Sequence, residues 1–404
     1  MGQLDGLLVL DLSRVLAGPL AGQMLADLGA QVIKVEQPGI GDESRQYGPP
    51  FFEGGGAYES AFYLSANRGK QSITIDFSRP EGQSLVRGLA AKADVLIENF
   101  RVGTLARYGL GYAQLKELNP RLVYCSLTGF GQDGPSHKRP GYDAIFQAMG
   151  GLMSSIGNPD NAPGGGPLRT GLSVTDVFTS LYSGVAILSA LYARDARGGS
   201  GEHIDMALLD ATVATMSHYA LYYLVSGQQP PRRGNGGNGG VPSQAFRCAD
   251  DMVMLTVGND AQFARFANAL DHPEWLQDTR FATGVERIRH RDVLIPILEK
   301  VFLDRPAKHW LKVLLAADIP VGPVQDLAQV FSDPQVLHRG LQQTLRHAGG
   351  ADVHLVANPI KFREQPISPG TAPPMLGQHT EAVLERELGL GATEIAQLRS
   401  QGVI

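Results

Sequence analysis

The chain has 404 residues, 43 % of them apolar and 19 % charged, an ordinary globular composition long enough for two domains or one elaborated domain. A formal net charge of -5 excludes the basic excess of a nucleic-acid surface, and Cys125 and Cys248, far apart, form neither a disulfide framework nor a zinc pattern. Two structural thiols, with no basic n-region before an N-terminal apolar run that Asp5 and Asp11 interrupt, point to the cytoplasm.

In chain order, "LLVLDL" (7–12) reads as a buried strand, Ala17 to Leu28 as a helix stopped by Gly29, and "QVIKVE" (31–36) as a second strand, together a βαβ unit. The theme repeats: strand 71–77, helix 80–93 opened by proline, strand 94–100, helix 112–119, strand 121–130. Such alternation predicts an α/β fold with a Rossmann-like, doubly wound parallel sheet. The apolar stretch Val174–Ala193 approaches bilayer length, but Asp176, Thr179, Ser180, Ser183 and Ser189 make it a buried helix rather than a membrane span. A further apolar helix is expected over 204–227. The Pro- and Gly-rich "QQPPRRGNGGNGGVPS" (228–243) then marks a boundary, followed by a hairpin around Asp250-Asp251 and several helices. "IPVGPV" (319–324) suggests a strand or linker, 350–375 irregular strands, and the C-terminus is helical.

Several features bear on chemistry. The first βαβ turn, "SRVLAGPLAG", lacks G-x-G-x-x-G, so NAD binding with Glu36 on a ribose is disfavoured, although the helix start still offers N–H groups to a polar ligand. No metal motif and no G-x-S-x-G elbow is present. Arg68, Lys70, Arg107, Lys138 and Arg139 are either solvated charges or, together at a sheet edge, a hold for a phosphorylated cofactor. The glycine run 236–240 is a linker, a weak RNA-binding tract or a mobile loop over a reactive intermediate. Asp176 also has two readings: the fourth member of a capping box opened by Ser173, or a nucleophilic carboxylate.

Six segments in order, "DLSRVLAGPLAGQMLADLGAQVIKVEQPGIGDESR" (11–45), "NRGKQSITIDF" (67–77), "ADVLIENFRVGTLARYGLGY" (93–112), "SLTGFGQDGPSHKRPGYD" (126–143), "TDVFTSLYSGVAILSALYARDARGGSGEHIDMALLD" (175–210) and "PPMLGQHT" (373–380), resemble the class III CoA-transferases, the family of formyl-CoA and carnitine CoA-transferases. The resemblance implies an interlocked-ring homodimer whose subunits have a large Rossmann-like CoA-binding domain (1–200 and 376–404) and a smaller α+β domain (228–325) carrying the glycine loop. A helical linker (201–227) and a return linker (326–375) would join them. It implies coenzyme A thioesters as substrates rather than a permanently bound cofactor, while the motifs, net charge and apolar stretches above predict no metal, nucleic-acid or membrane partner. Asp176 falls on the family nucleophile, and Gly236, Gly237, Gly239 and Gly240 on a loop suited to fold over it. Arg14, Val15, Leu16 and Ala17 match the loop lining the thioester pocket. Asn99, Phe100, Arg107 and Tyr108 occupy CoA-contact positions, with Arg139 and Tyr142 near "GYD".

The implied chemistry is transfer of CoA from an acyl-CoA such as succinyl-CoA to a carboxylic acid through a mixed anhydride and an aspartyl-CoA thioester on Asp176. Leu16 and Gln37, where formyl-CoA transferase has Gln and a basic residue, point away from formate and oxalate. "YDAIFQAMGGLMSSIG", "VPSQAF" and "FSDPQVLHRGL" resemble the succinyl-CoA:glutarate branch, whose dicarboxylate acceptor would need a cationic partner, with Arg14, Arg45 and Arg247 as candidates. The same fold hosts α-methylacyl-CoA racemases, which carry a His where Tyr142 stands before Asp143. A tyrosine of pKa about 10 is a poor base at neutral pH, which favours the transferase. A non-catalytic CoA-binding module would have no need of Asp176.

Overall fold

The structure is a computed structural model and describes residues 2–54 and 56–404. The chain divides into two compact units, one made of residues through Gly151, Gly171–Ser217 and Pro334–Ile404, the other of Leu152–Thr170 and His218–Asp333.

In the first unit the βαβ unit is β1 (Leu8–Asp11), α1 (Ala17–Asp27) and β2 (Gln31–Glu36). β3 (Lys70–Thr74), α2 (Pro80–Ala90), β4 (Val95–Glu98), α3 (Tyr112–Leu118) and β5 (Val123–Thr128) follow. Then come α4 (Asp143–Met149), the long α5 (Val174–Ala196) and β6 (His203–Ala207). The strands form one six-stranded, all-parallel sheet in the order β3-β2-β1-β4-β5-β6. β1 pairs with β2 on one side (Val9↔Val32) and β4 on the other (Val9↔Val95), so chain order reverses at β1. Open α/β sheets bind ligands at the carboxyl ends of strands flanking such a switch point.

Alternation along each strand supplies two cores. Val9, Val32, Val95, Ile97 and Val123 face α1 and α5, packing on Ala21, Leu25, Ile187 and Leu191. Leu10, Ile33, Leu96 and Tyr124 face the opposite layer, where α2 and the C-terminal helices Thr380–Leu388 and Ala392–Ser400 contribute Leu85, Leu89, Val383 and Ile395. The chain end is hydrogen-bonded there, Asp76 N–H donating to the Val403 carbonyl at 2.7 Å.

Small residues let α5 lie close on the sheet: Thr179, Ser180, Ser183 and Gly184 are buried, and a Cβ on Gly184 would stand 3.7 Å from the Met24 methyl. Its length and apolar composition suit a membrane span, yet one face packs on the sheet as the sequence predicts, while Leu181, Val185 and Tyr192 on the other are exposed.

Three expectations need correction. Residues 204–227 are not one helix. His203–Ala207 is the edge strand β6, paired with β5 (Tyr124↔His203), and the helices Leu208–Thr215 and Ser217–Ser226 follow. Pairing with an already buried strand outweighs the local apolar pattern. Arg68 and Lys70 are not ligand-facing. Arg68 is buried against Asp27 and the Val356 carbonyl, and Lys70 Nζ is enclosed by Asp11 (2.8 Å), the Pro19 carbonyl (2.7 Å) and Asn67 (2.9 Å). Arg45, a candidate for a substrate carboxylate, is likewise consumed inside. It donates to Glu36 at 2.7 Å, Glu59 at 2.9 Å and the Tyr63 hydroxyl at 2.6 Å, and the same Glu36 has no free oxygen for a ribose.

The second unit has the expected hairpin, Ser243–Arg247 against Met252–Thr256, with Val321–Pro323 on its outer edge. Helices including Asp260–Ala269, Arg291–Leu303 and Ala307–Ala316 cover it around Phe246, Phe266, Leu298, Phe302 and Trp310. Residues 152–170 pack in this unit, whereas 201–217 and 334–375 pack in the first, so its bounds differ from the predicted 228–325.

Candidate active site

The carboxyl ends of β1 and β4 open into a cavity of about 350 Å³. One wall is the loop after β1, Arg14, Val15, Leu16 and Ala17, and another is Asn99 and Phe100 after β4. The segment Arg139–Asp143 and the side of Asp176 complete it. A smaller recess of about 140 Å³ shares Arg14, Glu43 and Phe100 with this cavity and continues to Gln37, Ile40 and Phe77.

Local chemistry fixes the loop after β1. The Asn99 amide accepts the Arg14 N–H at 2.8 Å and donates to the Arg14 carbonyl at 2.7 Å. Asp42 accepts the Val15 N–H at 3.1 Å. Behind Asn99, the buried Glu98 accepts the Phe100 N–H at 2.8 Å, and burial pushes its carboxyl up to about 7.

Asp176 lies in the first turn of α5, but no capping box forms, because the Ser173 hydroxyl makes no cap bond. The helix is capped from α4 instead. Asp143 accepts the Thr175 N–H at 2.8 Å and the Thr175 hydroxyl at 2.6 Å, and its other oxygen accepts from Gln147 at 2.6 Å. One turn on, Ser180 donates to the Ala17 carbonyl at 2.7 Å, docking the start of α5 against the start of α1. Among the described residues none forms an ion pair or hydrogen bond with the Asp176 carboxylate. Burial first, then the neighbouring Asp143 charge, push it up to about 7. The helix dipole favours an anion in this turn but does not outweigh these two effects.

Around this acid the rim is basic. Arg14 lies 4.8 Å over the Phe100 ring, Arg139 lies 5.0 Å over Phe130, and Lys138 and Arg101 also face the cavity. Of the residues singled out from sequence, the cavity brings together Asp176, Arg14, Val15, Leu16, Ala17, Asn99, Phe100, Arg139 and Tyr142. Arg107 and Tyr108 do not line it: Arg107 is exposed, and Tyr108 packs on Phe77, which packs on Phe100. Gly236, Gly237, Gly239 and Gly240 belong to the second unit, where the Arg291 guanidinium donates to the Gly237 carbonyl at 3.2 Å. Arg247 is exposed on the hairpin of that unit. Sequence reasoning missed Arg101, Asp42 and the capping role of Asp143. Arg101 directly follows Asn99-Phe100 and was within reach, whereas the other two act across 27 and 32 residues of chain and left no local pattern.

The family model for CoA-transferase family III matches residues 4–380. The human succinyl-CoA:glutarate CoA-transferase is 40 % identical over 99 % of this chain and 90 % of its own length. The succinate–glutarate CoA-transferase of Agrobacterium fabrum is 44 % identical over 94 % of both. A crystal structure of a CAIB/BAIF family protein from Brucella suis superposes with a TM-score of 0.86 at 42 % identity, over 96 % of this chain and 99 % of that one. The uncommitted acid and the cationic side chains at the switch point thus sit on a chain that belongs to CoA-transferase family III.

Proposed function

We propose that the protein moves CoA from a succinyl-CoA-type donor to a dicarboxylic acid, with Asp176 as the covalent carrier. The observation that carries this reading is the Asp176 carboxylate itself, which lines the cavity without a hydrogen bond or ion pair among the described residues, while Asp143 accepts the Thr175 N–H and hydroxyl at the same helix start. Without a counter-ion it keeps its nucleophilicity once ionised. The exchange runs in four balanced steps. A carboxylate oxygen of Asp176 adds to the donor thioester carbonyl and expels CoA thiolate, leaving a mixed anhydride. The thiolate adds to the Asp176 carbonyl and expels the donor acid as its carboxylate, leaving an aspartyl-CoA thioester. The acceptor carboxylate adds to that carbonyl and again expels CoA thiolate. The thiolate finally takes the acceptor acyl group and restores the Asp176 carboxylate.

Each addition places negative charge on a carbonyl oxygen, which first-turn N–H groups at Leu16 and Ala17 suit. Lys138 and Arg139 fit the CoA phosphates, and the recess beside Gln37 and Phe77 fits the adenine end. With Arg45 consumed inside, Arg14 is the candidate for the second carboxylate that the cavity retains. The glycine run 236–240 is read as a loop that keeps water from the anhydride. The exposed apolar face of α5, Leu181, Val185 and Tyr192, supports an interlocked homodimer that buries it. Two free buried thiols, Cys125 and Cys248, support a reducing, cytoplasmic setting. One observation favours a second reading, a racemase that enolises an acyl-CoA: His137 lines the cavity, its Nδ1 2.7 Å from the Gly134 carbonyl, so its other ring nitrogen is available as a second base.

Acyl-CoA donors incubated with mono- and dicarboxylates and read by mass spectrometry should give transfer from succinyl-CoA to glutarate-like acids. Asp176→Ala should lower that transfer by at least about 10³-fold while CoA binding stays within a few-fold. Rapid α-deuteration of a 2-methylacyl-CoA without transfer would install the racemase instead. Because Asp176 must be ionised to attack and its pKa stands at about 7, the first half-reaction should rise with pH toward 7 and level off above it. A rate already flat from pH 5 contradicts that assignment. Light scattering on the eluted protein should read twice the 43.3 kDa chain mass, and a monomer at micromolar concentration removes the dimer.

A further inference from the structure

Val15 has φ +69°, a left-handed backbone that a β-branched residue keeps only where its surroundings over-determine it. Besides the Asn99 clamp on Arg14, one buried ion pair does this. Asp42 accepts the Val15 N–H at 3.1 and 3.2 Å, and Lys34 Nζ lies 2.9 Å from Asp42 and donates to the Ser13 carbonyl at 2.9 Å. The pair therefore grips the turn on both sides of Arg14. Both side chains are 0 % exposed, and apolar residues of similar size commonly stabilise a fold as well as such a pair does. Besides capping the short helix Glu43–Gln46, where Asp42 accepts the Ser44 N–H at 2.9 Å, the pair sets the backbone direction at Val15. The next two residues, the N-cap Leu16 and Ala17, the first residue of α1, line the cavity beside Asp176, and their N–H groups have no partner within the helix. Relaxing Val15 to negative φ would swing the following peptide and re-aim those donors.

We propose that the buried Lys34–Asp42 pair is a positioning device for the transfer reaction, holding Val15 left-handed so that the Leu16 and Ala17 N–H groups meet the oxyanion formed when Asp176 attacks a thioester. The proposal rests on the CoA-transfer reading above. Both residues border the recess read above for the adenine end, but their side chains are 0 % exposed, and they reach the reacting atoms only through the turn they hold. Their effect belongs in kcat, because the donors they aim act on charge present only in the transition state.

The test compares Asp42→Asn, Val15→Gly, the double variant and Val15→Pro in the full chain. Asp42→Asn, which sets an amide NH2 against either Lys34 or the Val15 N–H where an oxygen accepted before, should lower kcat about 10- to 100-fold, the scale of one strained residue released. KM for the donor and CoA affinity by calorimetry should stay within about threefold. Glycine adopts positive φ as readily as negative, so Val15→Gly/Asp42→Asn should return to within about fivefold of Val15→Gly alone. A role confined to stability gives no such rescue. If Asp42→Asn does not fold, Val15→Pro, which locks φ near about -65°, decides the matter: it should lose kcat as severely with CoA binding retained. A folded double variant as slow as Asp42→Asn, a loss confined to KM, or a Val15→Pro enzyme with wild-type kcat overturns the proposal. Wild-type protein that moves no CoA removes the reaction reading itself, and the positioning role with it.

Discussion

The bond from the Asp143 carboxylate to the Thr175 N–H and hydroxyl organises the site. A helix of 23 residues starts at the cavity, and its first-turn N–H groups need acceptors. The acid best placed in sequence to supply one is Asp176 itself. Asp143 caps the Thr175 N–H from a neighbouring helix in place of Ser173, and Asp176, with no hydrogen bond of its own among the described residues, is left uncommitted, raised in pKa by burial and by the very charge that caps its helix. A carboxylate tied into a capping box would be a weaker nucleophile with an anchored geometry. The structural and chemical duties of an acid at one helix end are thus divided between two residues 33 positions apart in sequence.

Around that division the switch point does the rest. β1 lies between β2 and β4, so the loops leaving β1 and β4 face each other across one crevice, and Asn99 can hold both backbone groups of Arg14. The charges in this region fall into two populations. Lys34, Arg45, Arg68 and Lys70 are enclosed with Asp42, Glu36, Glu59, Asp27 and Asp11, and they hold backbone in place. Arg14, which is 3.8 Å from the half-exposed Glu43, and Arg101, Lys138 and Arg139 face the cavity and are positioned to meet an anionic ligand on a chain whose net charge is -5. Burial separates the two groups, and that separation lets a phosphate-bearing substrate enter beside an acid that is easily made neutral.

The alternating architecture was legible in sequence because both sides of a doubly wound sheet are buried, so strands such as "LLVLDL" and "QVIKVE" read as apolar runs between amphipathic helices. The strand His203–Ala207 was not legible, since only its pairing with β5 distinguishes it from the helical sequence that follows. The cavity loop and Asp176 were found through the resemblance rather than through periodicity, and residue pattern alone favoured the cap. Basic residues were the weakest part of the reading. A formal charge in sequence says nothing of whether a side chain is enclosed, and Arg45, with acceptors on Glu36, Glu59 and Tyr63, is buried. Asp42 and Asp143 escaped notice because the groups they hold, the Val15 N–H and the Thr175 N–H and hydroxyl, lie 27 and 32 residues away in the chain and leave no local pattern.

The central claim is that one aspartate carries the acyl group and then CoA as covalent intermediates. Peptide mass spectrometry of the protein after incubation with succinyl-CoA and hydroxylamine tests it most directly. The account predicts a hydroxamate on the peptide containing Asp176, absent when donor is omitted. An unmodified Asp176 peptide in protein that is turning over donor and acceptor would contradict it.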